Sequence, residues 1–125
     1  MTYGLAVWEG ERPDDKDACD VFEGLYEKHL GVNDHRPNPS TPAIQAYVDA
    51  LLDRWYDLTD PREDGTSPWA DGPLSNDAAG PIIYFGLRPS MADEASAICA
   101  RIAAERGLNC YDPQWDCLRP TADEG

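Results

Sequence analysis

Apolar positions along this chain change period several times, and each change marks an element. Residues 2–8, TYGLAVW, predict a first strand, bounded by an acidic turn at Glu9–Asp15. From residue 15 the period lengthens. Ala18, Val21, Phe22, Leu25, Tyr26 and His29 recur at i, i+3, i+4 and i+7, one face of a helix over 15–30 that Gly31 closes. Pro37 and Pro39 make 32–41 a loop. Thr41 then offers a capping hydroxyl and Pro42 a favourable first helical residue. Ile44, Tyr47, Val48, Leu51, Leu52, Trp55 and Leu58 line one face of the second helix, which runs to about Leu58.

Residues 60–80 read as a loop holding a short strand around Trp69–Ser75 and a turn at Asn76–Gly80. The run 81–87, PIIYFGL, is apolar on both sides, as a central strand is. Ile82, Tyr84 and Gly86 face one way, and Ile83, Phe85 and Leu87 the other. Ser90 with Asp93 matches a capping box and opens a third helix. Met91, Ala95, Ile98, Cys99 and Ile102 are its apolar face, its alanines permit close approach to a sheet, and Gly107 ends it. Residues 108–112 predict a last strand interrupted by Pro113, and 120–125 a frayed tail.

Those elements give an α+β fold class and a single domain over 1–119. The expected architecture is a two-layer sandwich, ferredoxin-like β-α-(α)-β-β-α-β with a mainly antiparallel four-stranded sheet. A two-layer fold leaves one sheet face open. Either the loops 32–41 and 60–80 cover it, or it carries Tyr84, Trp8 and Trp69 as an interface, through which a homodimer would form.

Charge changes the picture most. The chain has 125 residues and carries 24 Asp and Glu against 10 Lys and Arg, a net charge of −14. The amphipathic periods place this excess on a folded surface rather than a disordered tail. Scattered basic residues exclude nucleic acid as the expected partner, because phosphate would be repelled. No apolar run reaches membrane-span length, so no membrane contact is expected, and the start MTYGLAVWEG predicts no secretory signal. Cys19, Cys99, Cys110 and Cys117 form no CxxC pair and read as reduced thiols of a cytoplasmic protein.

Carboxylates form the clearest constellation. Asp49, Asp53, Asp57 and Asp60 share one azimuth of the second helix, and Glu23 and Glu27, with Asp20, line the outer face of the first. Like charges at i, i+4 cost a helix a few tenths of a kcal/mol per pair, so an unneutralised stripe points to attraction of a basic protein partner. Charge that merely keeps the chain soluble is the plainer reading of the same stripe. A second constellation, His29, Tyr111, Asp112 and Gln114, would supply the polar groups of a pocket between helix and sheet. No metal is expected, since Cys110, Cys117, His29 and His35 lack zinc-ligand spacing. No cofactor motif and no nucleophile elbow occurs, and no catalytic residue is assigned.

The segments Trp69-Ala70-Asp71-Gly72-Pro73-Leu74 and Gly107-Leu108-Asn109-Cys110-Tyr111-Asp112-Pro113-Gln114 resemble those of a group of small bacterial proteins with a W-x-x-G-P-L segment and a G-L-x-x-Y-D-P-Q ending. The resemblance covers the second half of the chain. It implies the fold and a bacterial, cytoplasmic origin, and supplies no activity. The expected function is a non-enzymatic interaction protein with acidic helix faces, in its most concrete form an immunity-type inhibitor of a basic toxin. The alternative is a small enzyme or ligand-binding domain using His29, Tyr111 and Asp112.

Overall fold

A computed structural model describes residues 3–30, 40–57, 59–63, 65, 67–70 and 78–119, apart from the side chains of 29 and 30. Outside the described residues lie Gly31, most of the 32–41 loop, Leu58, positions 71–75 of the expected short strand, Asn76 and Asp77 of the expected turn, and the tail.

β1 (Tyr3–Trp8) is the middle strand of a five-stranded antiparallel sheet. Its neighbours are β3 (Ile82–Leu87) and β4 (Asn109–Asp112), and β2 (Ala78–Ala79) and β5 (Cys117–Arg119) form the edges, in the order β2-β3-β1-β4-β5. The register sets Val7 opposite both Ile83 and Cys110, and Ala6 opposite both Tyr84 and Tyr111. Side chains alternate across a pleated sheet, so Leu5, Val7, Ile83, Phe85, Leu87 and Cys110 share one face and Ala6, Trp8, Ile82, Tyr84 and Tyr111 the other.

Both faces are covered. On the first lie α2 (Pro42–Arg54), through Ile44, Tyr47, Val48 and Leu51, and α3 (Ala92–Glu105), through Ala92, Ala95, Cys99, Ala100 and Ala103. On the second lies α1 (Asp15–Leu25), whose Ala18, Val21, Phe22 and Leu25 pack on Trp8, Ile82, Tyr111 and Leu118. The α+β class therefore holds, but the two-layer arrangement does not. The doubled crossover after β1 sends its first helix over one face and its second over the other. The face expected to be open carries α1, and Trp69 lies in the opposite core, fully buried against Phe85 at a ring separation of 5.9 Å.

The sheet has five strands, not four: Ala78–Ala79, within the expected turn, form β2, and beyond the strand that Pro113 interrupts the chain turns back and pairs again. Asp116 takes the left-handed conformation (φ 51°) and returns the chain as β5. Two helix ends also differ from expectation. α2 stops at Arg54, where Trp55 becomes extended (φ −137°, ψ 138°) and sets its ring edge-on to Trp69 at 5.5 Å, packing that overrides helical periodicity. At α3 the Ser90–Asp93 capping box is not made. Pro89–Met91 form a 3-10 turn, Ser90 is exposed, and no side chain caps Ala92. The opposite end follows the sequence closely. Gly107 (φ 72°) donates to Ala104 O at 3.1 Å and Leu108 to Ala103 O at 2.9 Å, a Schellman pair that turns the chain into β4.

Candidate functional site

Three places gather the polar groups singled out by the sequence: the turn after β4, the acidic helix faces, and a groove beside α1.

The turn comes first because it holds Asp112 and Gln114. Continuing the β1–β4 register past Ala6 and Tyr111 would set Gly4 opposite Pro113, which has no N–H to donate. Gln114 replaces it: its Nε2 donates to Gly4 O at 2.8 Å and its Oε1 accepts from Gly4 N at 2.9 Å. Asp112 is fully buried and accepts from five donors. Its Oδ1 takes Gln114 N (2.9 Å), Gln114 Nε2 (2.7 Å) and Trp115 N (3.2 Å). Its Oδ2 takes Arg119 Nη1 at 3.1 Å and the Tyr3 hydroxyl through a short bond. Arg119 is itself buried, donates to Ser96 Oγ at 2.7 Å and stacks on Trp115 at 3.9 Å. Burial, and then the bond to Asp112, push the Tyr3 hydroxyl well above its ordinary pKa. A carboxylate has about four lone-pair positions, so Asp112 has none left for proton transfer. The arrangement ties β1, the β4–β5 hairpin and α3 together.

Tyr111 does not join it. As the preceding residue of the strand it points to the opposite face, where its hydroxyl donates to Asp116 Oδ1 at 2.6 Å. Burial first, then that bond, raise its pKa. The structure thus brings Asp112 and Gln114 together and turns Tyr111 away, while the side chain of His29 lies outside the described residues.

The acids divide differently from expectation. Glu23 and Glu27, with Asp20, are exposed on α1 and the turn after it, and Asp49 and Asp53 are exposed on α2. Asp57 and Asp60 are not on the helix, which ends before them. Asp57 Oδ1 accepts from Thr59 N and Oγ1, both at 3.2 Å. Asp60 is forked by Arg62 at 2.8 and 3.1 Å, and those bonds hold its carboxyl down at about 2. The stripe of four is therefore two helical acids and two acids engaged in a local turn.

A groove of about 480 Å³ adjoins α1, lined by Phe22, Glu23, Tyr26, Glu27 and Tyr84. The helix widens here into a π-helical turn, Tyr26–Leu30. Phe22 and Tyr26 meet Tyr84 at ring separations of 5.2 and 5.8 Å, the second edge-on. Tyr84 lies flat because Gly4 lies under it: a Cβ at Gly4 would come within 2.8 Å of Tyr84 Cζ. Burial, and then the neighbouring Tyr26, raise the pKa of the Tyr84 hydroxyl. Aromatic faces beside carboxylates form a surface suited to a cation. Sequence reasoning found Glu23 and Glu27 but missed this groove, because Tyr84 reaches α1 only through the strand order. A second groove, of about 320 Å³, is lined by Arg54, Trp55, Asp93 and Glu94 among others and has mixed charge.

Among the described residues no three His, Cys, Asp or Glu side chains gather as metal ligands, and no helix is long and apolar enough to cross a membrane. No disulfide links the four cysteines. No protein-family model, no curated protein and no solved structure matches this chain.

Proposed function

We propose that this chain is a non-enzymatic, cytoplasmic interaction protein whose acidic helix surface captures a basic protein, in its most concrete form an immunity-type inhibitor of a basic toxin. The observation that supports the reading is the state of the helical carboxylates. Asp20, Glu23 and Glu27 beside one sheet face, and Asp49 and Asp53 beside the other, are exposed and have no ion-pair partner among the described residues. Such carboxylates at i, i+4 repel one another, and a basic partner would relieve that repulsion while being steered in by the net charge of −14. The helical acids rank ahead of Asp57 and Asp60, which are held in a local turn; Glu23 and Asp49 accept from Cys19 Sγ at 3.7 Å and Gln45 Nε2 at 3.1 Å one helical turn away and stay exposed.

The order β2-β3-β1-β4, with α2 and α3 on one face, supports a ferredoxin-like core to which α1 and β5 are added. Reversal of Asp20, Glu23 and Glu27 to lysine tests the function. The variant should keep a native circular dichroism spectrum and lose the basic proteins that the native chain retains in a low-salt pull-down. Recovery of the same proteins by the variant refutes the proposal.

A further inference from the structure

We infer that the groove between α1 and β3 is the anchor for a single arginine side chain of that basic partner, a step that rests on the acidic-surface reading above and gives it a specific contact. The fold itself shows how it holds arginines. Arg62 lies over the Tyr56 ring at 4.6 Å while its guanidinium forks the Asp60 carboxylate. Arg119 lies over the Trp115 ring at 3.9 Å while it bonds the Asp112 carboxylate at 3.1 Å. In both cases one aromatic face and one carboxylate grip one guanidinium. The groove presents the same parts, with the rings of Phe22, Tyr26 and Tyr84 beside Glu23 and Glu27, and no cation of this chain is among its described lining residues.

Its chemistry favours arginine over lysine. A guanidinium is planar and weakly hydrated, stacks on a ring and still offers a fork of N–H donors to a carboxylate, whereas an ammonium is a compact, strongly hydrated point charge. The groove is also built rather than incidental. Its floor, Tyr84, needs the missing side chain at Gly4, and its wall needs the π-helical turn that carries Tyr26 and Glu27.

The test uses acetylated and amidated Gly-Arg-Gly, with Gly-Lys-Gly and Gly-Gln-Gly as companions, titrated into the whole chain and followed by NMR of the aromatic side chains. The arginine peptide should shift the Phe22, Tyr26 and Tyr84 resonances, the lysine peptide should bind more weakly, and the glutamine peptide should leave them in place. Tyr26→Ala with Tyr84→Leu keeps the net charge and should weaken the arginine peptide by roughly five- to thirtyfold, the loss of two cation–ring contacts. Tyr26 is 39% exposed, so Tyr26→Ala alone gives a folded check with a smaller loss in the same direction. Lysine binding as tightly as arginine, or unchanged affinity in the aromatic variants, overturns the inference. Where affinity falls with Glu23→Gln and Glu27→Gln but not with the ring variants, the groove fails and the acidic surface stands. Where charge reversal also leaves the pull-down intact, both fail.

Discussion

Asp112→Asn removes one charge from the buried pair and leaves its shape. The asparagine retains an acceptor oxygen for Gln114 and Trp115, but its amide nitrogen would face two donors, the Tyr3 hydroxyl and Arg119 Nη1. Arg119, with a side chain 2% exposed, would then be a buried cation lacking its carboxylate. Removing one partner of such a pair costs about 3–5 kcal/mol. A chain of 125 residues unfolds with an entropy of about 0.26 kcal/mol per degree, so the melting temperature should fall by roughly 11–19 °C. Thermal and urea melts followed by circular dichroism measure this, with the urea slope unchanged if only stability has altered. Arg119→Met should cost a similar amount. The double variant should cost at least about 2 kcal/mol less than the sum, because neither buried charge is then left alone. A loss below about 1 kcal/mol for Asp112→Asn, or additive costs in the cycle, would show that the network does not hold the hairpin and that Asp112 is free for another role.

Four tyrosines, Tyr3, Tyr47, Tyr84 and Tyr111, have their hydroxyls raised mainly by burial. Above about pH 10 the unfolded chain releases phenolic protons that the native state keeps, so stability should be full below that pH and fall above it. Tyr47, fully buried with its hydroxyl on Cys99 O, should alone contribute a fall of about 1.4 kcal/mol per pH unit. Phenolate absorbance at Tyr47 in a still-native protein would contradict this. Gly4→Ala places a Cβ against Tyr84 and should destabilise by about 1–3 kcal/mol in urea melts, with most of that recovered by adding Tyr84→Leu. Gly107→Ala meets no atom within 4 Å but must hold φ 72°, so a cost of about 1 kcal/mol should appear with no packing change. Asp60 should titrate near 2 by NMR and move toward the ordinary carboxylate range in Arg62→Gln, and no movement would show the fork is absent in solution.

Local rules reached as far as local causes. The Gly107 stop, the Thr41–Pro42 start, where Thr41 Oγ1 accepts from Ile44 N at 3.4 Å, and the two faces of β3 all follow from spacing and single-residue chemistry. Where long-range contacts decide, the sequence was silent. The end of α2 depends on Trp55 finding Trp69, and the placement of α1 on the second face depends on strands distant in sequence bringing Trp8, Ile82, Tyr111 and Leu118 onto one apolar surface. The fifth strand was hidden because Pro113 reads as a breaker until Gln114 is seen to supply the missing pairing to Gly4. At the site, Glu23 and Glu27 were visible as an exposed stripe, but their aromatic companion Tyr84 lies some sixty positions away and comes beside them only through the strand order.

That dependence links the closing segment of the chain to the groove. Gly107 and Leu108 turn α3 into β4, Tyr111 packs its ring on Phe22 at 5.6 Å, and Asp112 fixes the turn from which Gln114 reaches Gly4. Phe22 is a wall of the groove, and Gly4 is the space on which its floor rests. The G-L-x-x-Y-D-P-Q segment therefore acts on the groove from both sides without lining it. Gln114→Ala would release Gly4 on the β4 side while leaving the pairing of β1 with β3, all five lining residues and the net charge in place. Arginine-peptide affinity should then fall although no contacting group has changed, and its dependence on added salt should match that of the native chain, since the defect is in position rather than charge. Unaltered affinity in Gln114→Ala, with Gly4 amide exchange accelerated, would mean that the groove holds its shape without the staple.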